Sequence, residues 1–235
     1  MIFPPCARDS PIVRAPTIET PEFSRDSDAF AGTRLALMIG MAHTLAESVR
    51  CEVPVLFAST EGQTALIAIR LAAVLHEHGL DSQAIDVSTP EAETIDWSRV
   101  HGALVGASLH MGRHQKSAAH FVHEHAAHLN AVPSAFFSVS LAAASKNATE
   151  VADAERIARA FPAAHGWTPT AILSVAGRLA YREYNVFVRF LIKRIAKKEG
   201  GPTDTSRDYE LTDWDEVDRL GREMAAAIHA RVAVA

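Results

Sequence analysis

Residues 53–77 read VPVLFASTEGQTALIAIRLAAVLHE. The run Val53–Ala58 is short and apolar, as a strand buried on both faces must be. From about Gln63 to Glu77 the apolar side chains recur at helical spacing, and Gly79 supplies a left-handed stop. Strand, hydroxyl-rich turn and helix open a βαβ unit, and the chain repeats the pattern. Further strands are expected at Ala84–Val87, Gly102–Ala107, Ser134–Val139 and Ala171–Ala176, with an acidic loop around Glu91–Asp96. Helices are expected at about Gln115–Leu129 and Thr149–Phe161, and from Thr212 to about His229, where Asp213 and Asp215 suit the positive end of the helix dipole. Such alternation implies right-handed crossovers and an α/β fold, a doubly wound five-stranded parallel sheet with helices on both faces. Ligands of such sheets sit at the carboxyl ends of the strands, so the chemistry belongs to the loops after the first, third and fourth strands.

The rest of the composition narrows the function. With 235 residues, 48% of them hydrophobic, a buried core is readily supplied. The 28 acidic and 23 basic residues leave a formal charge of −5, so no global basic field exists and nucleic acid is not an expected partner. The uncharged stretch Leu129–Ser145 contains Asn130, Pro133 and several serines, too short and too polar to cross ~30 Å of hydrocarbon. Cys6 and Cys51 form neither a disulfide framework nor a metal-ligand spacing, which suits a reducing, cytoplasmic compartment. Residues 1–52 read as a disordered leader, with Pro4, Pro5, Pro11, Pro16 and Pro21 near its start and a short amphipathic helix at Leu35–Val49. The folded domain is expected over residues 53–235.

The turn Ser59-Thr60-Glu61-Gly62-Gln63-Thr64 bears two readings. As a ligand loop, its backbone N–H groups, the helix N-terminus and the hydroxyls of Ser59, Thr60 and Thr64 would hold a phosphate. As a structural turn, Thr60 and Gln63 would form a capping box that satisfies the helix without any ligand. Lacking a lysine and a second and third glycine, it is neither a nucleoside triphosphate loop nor a dinucleotide fingerprint.

The loop resembles the flavin phosphate loop of flavodoxins. More narrowly, five ordered blocks resemble the menaquinone-dependent protoporphyrinogen IX dehydrogenase family: Ser59–Thr64; Gly106-Ala107-Ser108-Leu109; Pro133 to Leu141; Gly200-Gly201-Pro202-Thr203-Asp204-Thr205; and Thr212-Asp213-Trp214. The match runs from Val53 to about Ile228. The resemblance implies a flavodoxin-like fold, FMN as cofactor, and oxidation of protoporphyrinogen IX to protoporphyrin IX with a quinone as acceptor, in haem biosynthesis. It places the FMN phosphate on Ser59, Thr60, Glu61, Gly62, Gln63 and Thr64. It places the isoalloxazine ring between Ser108, Leu109, His110, Met111 and Gly112 on one side and Ser138, Val139, Ser140 and Leu141 on the other. Relatives carry tyrosines where this chain has Met111 and His114. Two other readings stay open: an FMN electron carrier without an organic substrate, and a flavodoxin-fold interaction domain that has lost FMN.

Histidines crowd the region that follows. His110 and His114, in the expected flavin loop, are the candidate catalytic groups because imidazole exchanges protons near neutral pH. On the next helix His120, Glu124 and His128 form a row at i, i+4 and i+8, too widely spaced for a common metal ion, and no metal site is expected.

Residues 177–211 exceed what a simple crossover needs. Tyr184, Phe187, Val188, Leu191, Ile192 and Ile195 make an apolar stripe, while Arg182, Arg189, Lys193 and Lys197 lie off it. Either this is a surface helix docked by its stripe, or its cations meet propionates of a tetrapyrrole, admit a lipid-soluble quinone and hold the inner face of the cell membrane peripherally. The resemblance favours the second, since the matching insertion separates these dehydrogenases from plain flavodoxins.

Overall fold

The structure, a computed structural model, describes residues 52–179 and 209–234. Strand β1 (Val55–Ala58) leads into helix α1 (Gln63–Glu77), followed by β2 (Ala84–Asp86), the short α2 (Pro90–Glu93) and β3 (Ala103–His110). Then come β4 (Arg113–His114), α3 (Lys116–Ala131), β5 (Ser134–Ser140), α4 (Ala148–Ala164) and β6 (Ala171–Ala176). The two-residue strands β7 (Arg178–Leu179) and β8 (Tyr209–Glu210) pair before α5 (Trp214–Val232). The expected leader helix and the basic stripe around Arg182, Arg189, Lys193 and Lys197 lie outside the described residues.

The main sheet has the order β2-β1-β3-β5-β6 with every neighbouring pair parallel. The chain steps from β1 outward to β2 and then returns to β3 on the other side of β1. That reversal opens a crevice beyond the carboxyl ends of β1 and β3. All seven residues of β5 are buried, as a strand flanked on both edges and covered on both faces requires.

Alternation along the strands sends side chains to two cores. Leu56, Ala58, Val105 and Phe136 join Phe121, Val122 and Leu129 of α3 and Ala158 and Phe161 of α4. On the opposite face α1 packs against α5. In the register Gly106 stands beside Phe137, whose ring lies where a side chain on Gly106 would be: an added Cβ would collide with its Cζ. The missing side chain is therefore filled by the neighbouring strand's aromatic.

Three expectations shift. The third strand runs on to His110, and Met111 and Gly112 (φ 49° and 77°) turn it back as β4, a two-residue hairpin with both turn residues in the left-handed region. The acidic loop contains α2, with Pro90 at its first turn. The last helix begins at Trp214, not Thr212: Asp213 Oδ1 caps it by accepting from the amides of Asp215 and Glu216 at 3.1 Å each. Thr212 is instead drawn inward, donating through Oγ1 to the Ala176 carbonyl at 2.8 Å.

Candidate functional site

The carboxyl ends of β1, β3 and β5 open on a cavity of about 650 Å³, within the size of small-ligand and cofactor sites. Most of the residues expected from the sequence meet there. Ser59, Glu61, Gln63, Thr64, Ser108, Leu109, His110, Met111, Gly112, Val139, Ser140 and Leu141 all line it.

Its first wall is the β1–α1 turn. Gly62, at φ 85°, ends the turn in the left-handed region, and its amide donates to Ser59 Oγ at 3.0 Å. The capping box does not form, since no side chain caps α1. Gln63 turns away from Thr60: its Nε2 donates to both carboxylate oxygens of Glu210 (3.0 and 3.2 Å) and to Thr212 Oγ1 (2.9 Å). Two polar atoms on the first two residues of α1, Gln63 Oε1 and Thr64 Oγ1, are buried without a hydrogen-bond partner. Thr64 is 1% exposed. An orphaned hydroxyl beside uncapped helix amides is satisfied by an anion bound at the helix end.

The second wall is the β3–β4 hairpin. Leu109 is half-buried, whereas His110, Met111 and Gly112 are exposed. The structure separates the two candidate histidines. His110 stands on the cavity, but His114 points into the core, packs against Phe136 and Phe161 and lies 2.9 Å from Ser138 Oγ through Nε2. Burial pushes its pKa down to about 4, with the nearby His165 acting in the same direction. Ser138, fully buried, is thus a partner of His114 and does not line the cavity. Thr60 and Gly62 also lie off the lining; Thr60 Oγ1 accepts from Gln115 Nε2 at 3.2 Å. Gln115 Nε2 donates to Ser108 Oγ as well, tying the first loop to the second.

The third wall is β5 with α4, from which Glu150, Asp153, Ala154 and Ile157 line the cavity beside Val139 and Leu141. Gly177, just past β6, and Arg178 of β7 close it. An added Cβ on Gly177 would approach Val139 Cγ1 to 3.2 Å. Sequence reading missed Gln115, Glu210, the α4 wall and the Gly177–Arg178 pair. The α4 residues carried a signal, the spacing i, i+3, i+4, i+7 of one helix face; the amide partners carried none. The row on α3 is no cluster: His120 pairs with Glu124 at 3.4 Å, while His128 stacks on Trp97, centroids 5.0 Å apart.

The donors fit a phosphate monoester, and Leu109, Val139 and Leu141 fit the faces of a flat ring, so the residues present suit FMN. The chain matches the flavodoxin domain family over residues 54–206. It is 36% identical over 171 residues to a quinone-dependent protoporphyrinogen IX dehydrogenase of Escherichia coli, covering 73% of this chain and 93% of that protein. A Leishmania major protein of the same name is 34% identical over 173 residues, 73% of each chain. Among solved structures, oxidised flavodoxin 1 of Bacillus cereus aligns with a TM-score of 0.44 at 16% identity over 74% of this chain and 97% of that one.

Proposed function

The chain belongs to the flavodoxin domain family and, within it, to the quinone-dependent protoporphyrinogen IX dehydrogenases, and from that membership we propose that it is an FMN oxidoreductase. It takes reducing equivalents from a reduced tetrapyrrole, protoporphyrinogen IX, and delivers them to a quinone. The observation that carries the cofactor assignment is the buried, partnerless Thr64 hydroxyl at an uncapped helix N-terminus lining a cavity.

The hydroxyls of Ser59 and Thr64 and the first backbone amides of α1, that of Gln63 included, would hold the phosphate. Helix dipole and hydroxyl donors compensate its charge in place of a lysine. Ser108 and Ser140 offer polar contacts to the ring edge, while Leu109, Val139 and Leu141 keep water from its faces. When bound, FMN supplies a two-electron redox centre; the protein positions donor and acceptor against it and excludes competing reactions. The basic residues Arg182, Arg189, Lys193 and Lys197 would serve delivery, drawing propionates or an anionic membrane surface toward the site, at on the order of 1 kcal/mol for each cation near such a surface. The same cations are the ground for proposing a peripheral position on the inner face of the membrane; among the described residues no helix is long and apolar enough to cross it.

The test compares FMN with riboflavin, which lacks the phosphate. The purified full chain should bind FMN at least about 100-fold tighter, since each charged hydrogen bond is worth ~1.5–3 kcal/mol. It should also oxidise protoporphyrinogen IX anaerobically with a quinone. Equal affinities would overturn the phosphate site. FMN binding without porphyrinogen turnover would leave an electron carrier.

A further inference from the structure

We propose that Glu150, in the first turn of α4, is the proton acceptor of the oxidation, placed at the head of a tetrapyrrole subsite whose apolar floor is Ala154 and Ile157. This rests on the dehydrogenase reading above.

The α4 wall is more than a phosphate cradle and a ring slot require. Glu150, Asp153, Ala154 and Ile157 turn one helix face to the cavity over about 10 Å. Ala154 is buried and Ile157 half-buried, so the part of the strip beyond the two carboxylates is apolar and low. A macrocycle of linked pyrroles can lie on such a strip. Its propionates are repelled by Glu150 and Asp153, so the polar part turned toward α4 is the pyrrole N–H core.

The chemistry requires an acceptor there. In each of the three oxidation steps a saturated bridging carbon loses a hydride and a pyrrole nitrogen loses a proton, leaving a CH=C and C=N pair; the fourth bridging CH2 then passes one proton to a ring nitrogen by tautomerisation, which gives four CH bridges and two N–H groups. The hydride's two electrons and hydrogen reach the quinone, which takes up one proton to become a quinol. The N–H proton passes to the Glu150 carboxylate and from there to solvent, so each step is balanced.

Four other charged or titratable groups line the cavity. Asp153 is exposed and paired with Arg156 at 3.0 Å. Glu61, on the β1–α1 turn, and Arg178, on β7, each have an interaction of their own. His110 is exposed on β3. Glu150 is half-buried and has no side-chain hydrogen bond or ion pair among the described residues, so its lone pairs remain for a ligand N–H.

The experiment uses the FMN-loaded full chain with three readouts: FMN titration, protoporphyrin IX binding by porphyrin fluorescence, and the pH profile of quinone-linked turnover. Glu150→Gln should lower kcat about 100-fold or more, as loss of a positioned base does, and should remove the acid limb of the profile. FMN and porphyrin affinities should stay within about twofold, because the amide keeps the shape. Glu150→Asp should recover part of the rate. Ile157→Trp should weaken porphyrin binding about tenfold by filling the floor, with FMN affinity unchanged. A Glu150→Gln enzyme with wild-type kcat and pH profile overturns the acceptor role. Unaltered porphyrin binding by Ile157→Trp overturns the subsite. A wild-type protein that does not oxidise porphyrinogen overturns the underlying reading and this proposal with it.

Discussion

Thr64→Val distinguishes a ligand-binding hydroxyl from a structural one by the sign of two effects. Valine keeps the shape and the β-branch, so the volume of the site and the stiffness of the first turn of α1 are preserved. Thr64 is 1% exposed, and its hydroxyl has no hydrogen-bond partner among the described residues. Removing such a group relieves a desolvation cost of ~1–3 kcal/mol, so the flavin-free variant should be the more stable one. With FMN the sign reverses. Loss of a hydrogen bond to a charged phosphate costs ~1.5–3 kcal/mol, which weakens binding about 10- to 150-fold. At an FMN concentration of about 100 times the wild-type Kd, ligand adds about 2.7 kcal/mol to wild-type stability, but only about 0.4 kcal/mol to a variant that binds 100-fold more weakly. FMN should therefore move the balance by about 2.3 kcal/mol toward the wild type, and urea unfolding with and without FMN should show the two curves exchanging order wherever the flavin-free gain is smaller than that. A variant less stable without FMN, with unchanged FMN affinity by fluorescence titration, would make Thr64 a structural group and refute the cradle.

Four further outcomes follow from the fold. Gly106→Ala drives a methyl into the Phe137 ring and should cost about 1–3 kcal/mol or more by urea unfolding; a neutral substitution would mean that β3 and β5 can part freely. Met111→Asn suits the left-handed first turn position and should add about 1 kcal/mol to the stability of the flavin-free protein, read by thermal unfolding; a loss would show that the exposed methionine makes contacts there. Because burial holds His114 near a pKa of about 4 in the folded chain, the unfolded chain protonates first as pH falls below about 6.5. Stability should drop by on the order of 2–3 kcal/mol between pH 6.5 and 4 and level off below, and His114→Gln should flatten that slope; an unchanged slope would place the imidazole in solvent. Gln63→Leu leaves Glu210 and Thr212 short of a donor and should cost about 1–3 kcal/mol in urea; no cost would mean that water replaces the amide.

What was legible in the sequence was periodic or local. The apolar run into Ala58 and the helical stripe after Gln63 placed both ends of α1 and placed β1 to within two residues, because burial on two faces leaves little choice of residue type. The β3–β4 hairpin was not legible. Its turn places Met111 where asparagine or glycine is the usual sign, so the stretch reads as an irregular loop. For the same reason His110 and His114 appeared equivalent. Once the hairpin folds, His114 pairs with Leu109 across the ladder and meets Phe136 and Phe161, while His110 stays on the cavity.

Side-chain partners that lie far apart in the chain were hidden for a different reason. Gln63 could be read only against its neighbours, which offered Thr60 and a capping box. Its actual partners are 147 and 149 residues away. The consequence reaches the insertion. Arg178 and Glu210 pair across the ribbon from which residues 180–208 depart and to which they return. Glu210 accepts from Gln63, and Thr212 accepts from Gln63 while donating to the end of β6. The return stem of the insertion is therefore bonded to the first turn of α1, the same turn that presents the Thr64 hydroxyl, and the outgoing stem joins it only through the β7–β8 ladder. The cradle hydroxyl and the anchor of the return stem thus sit on neighbouring residues of one helix turn, Thr64 and Gln63, so a substitution that shifts that turn acts on both.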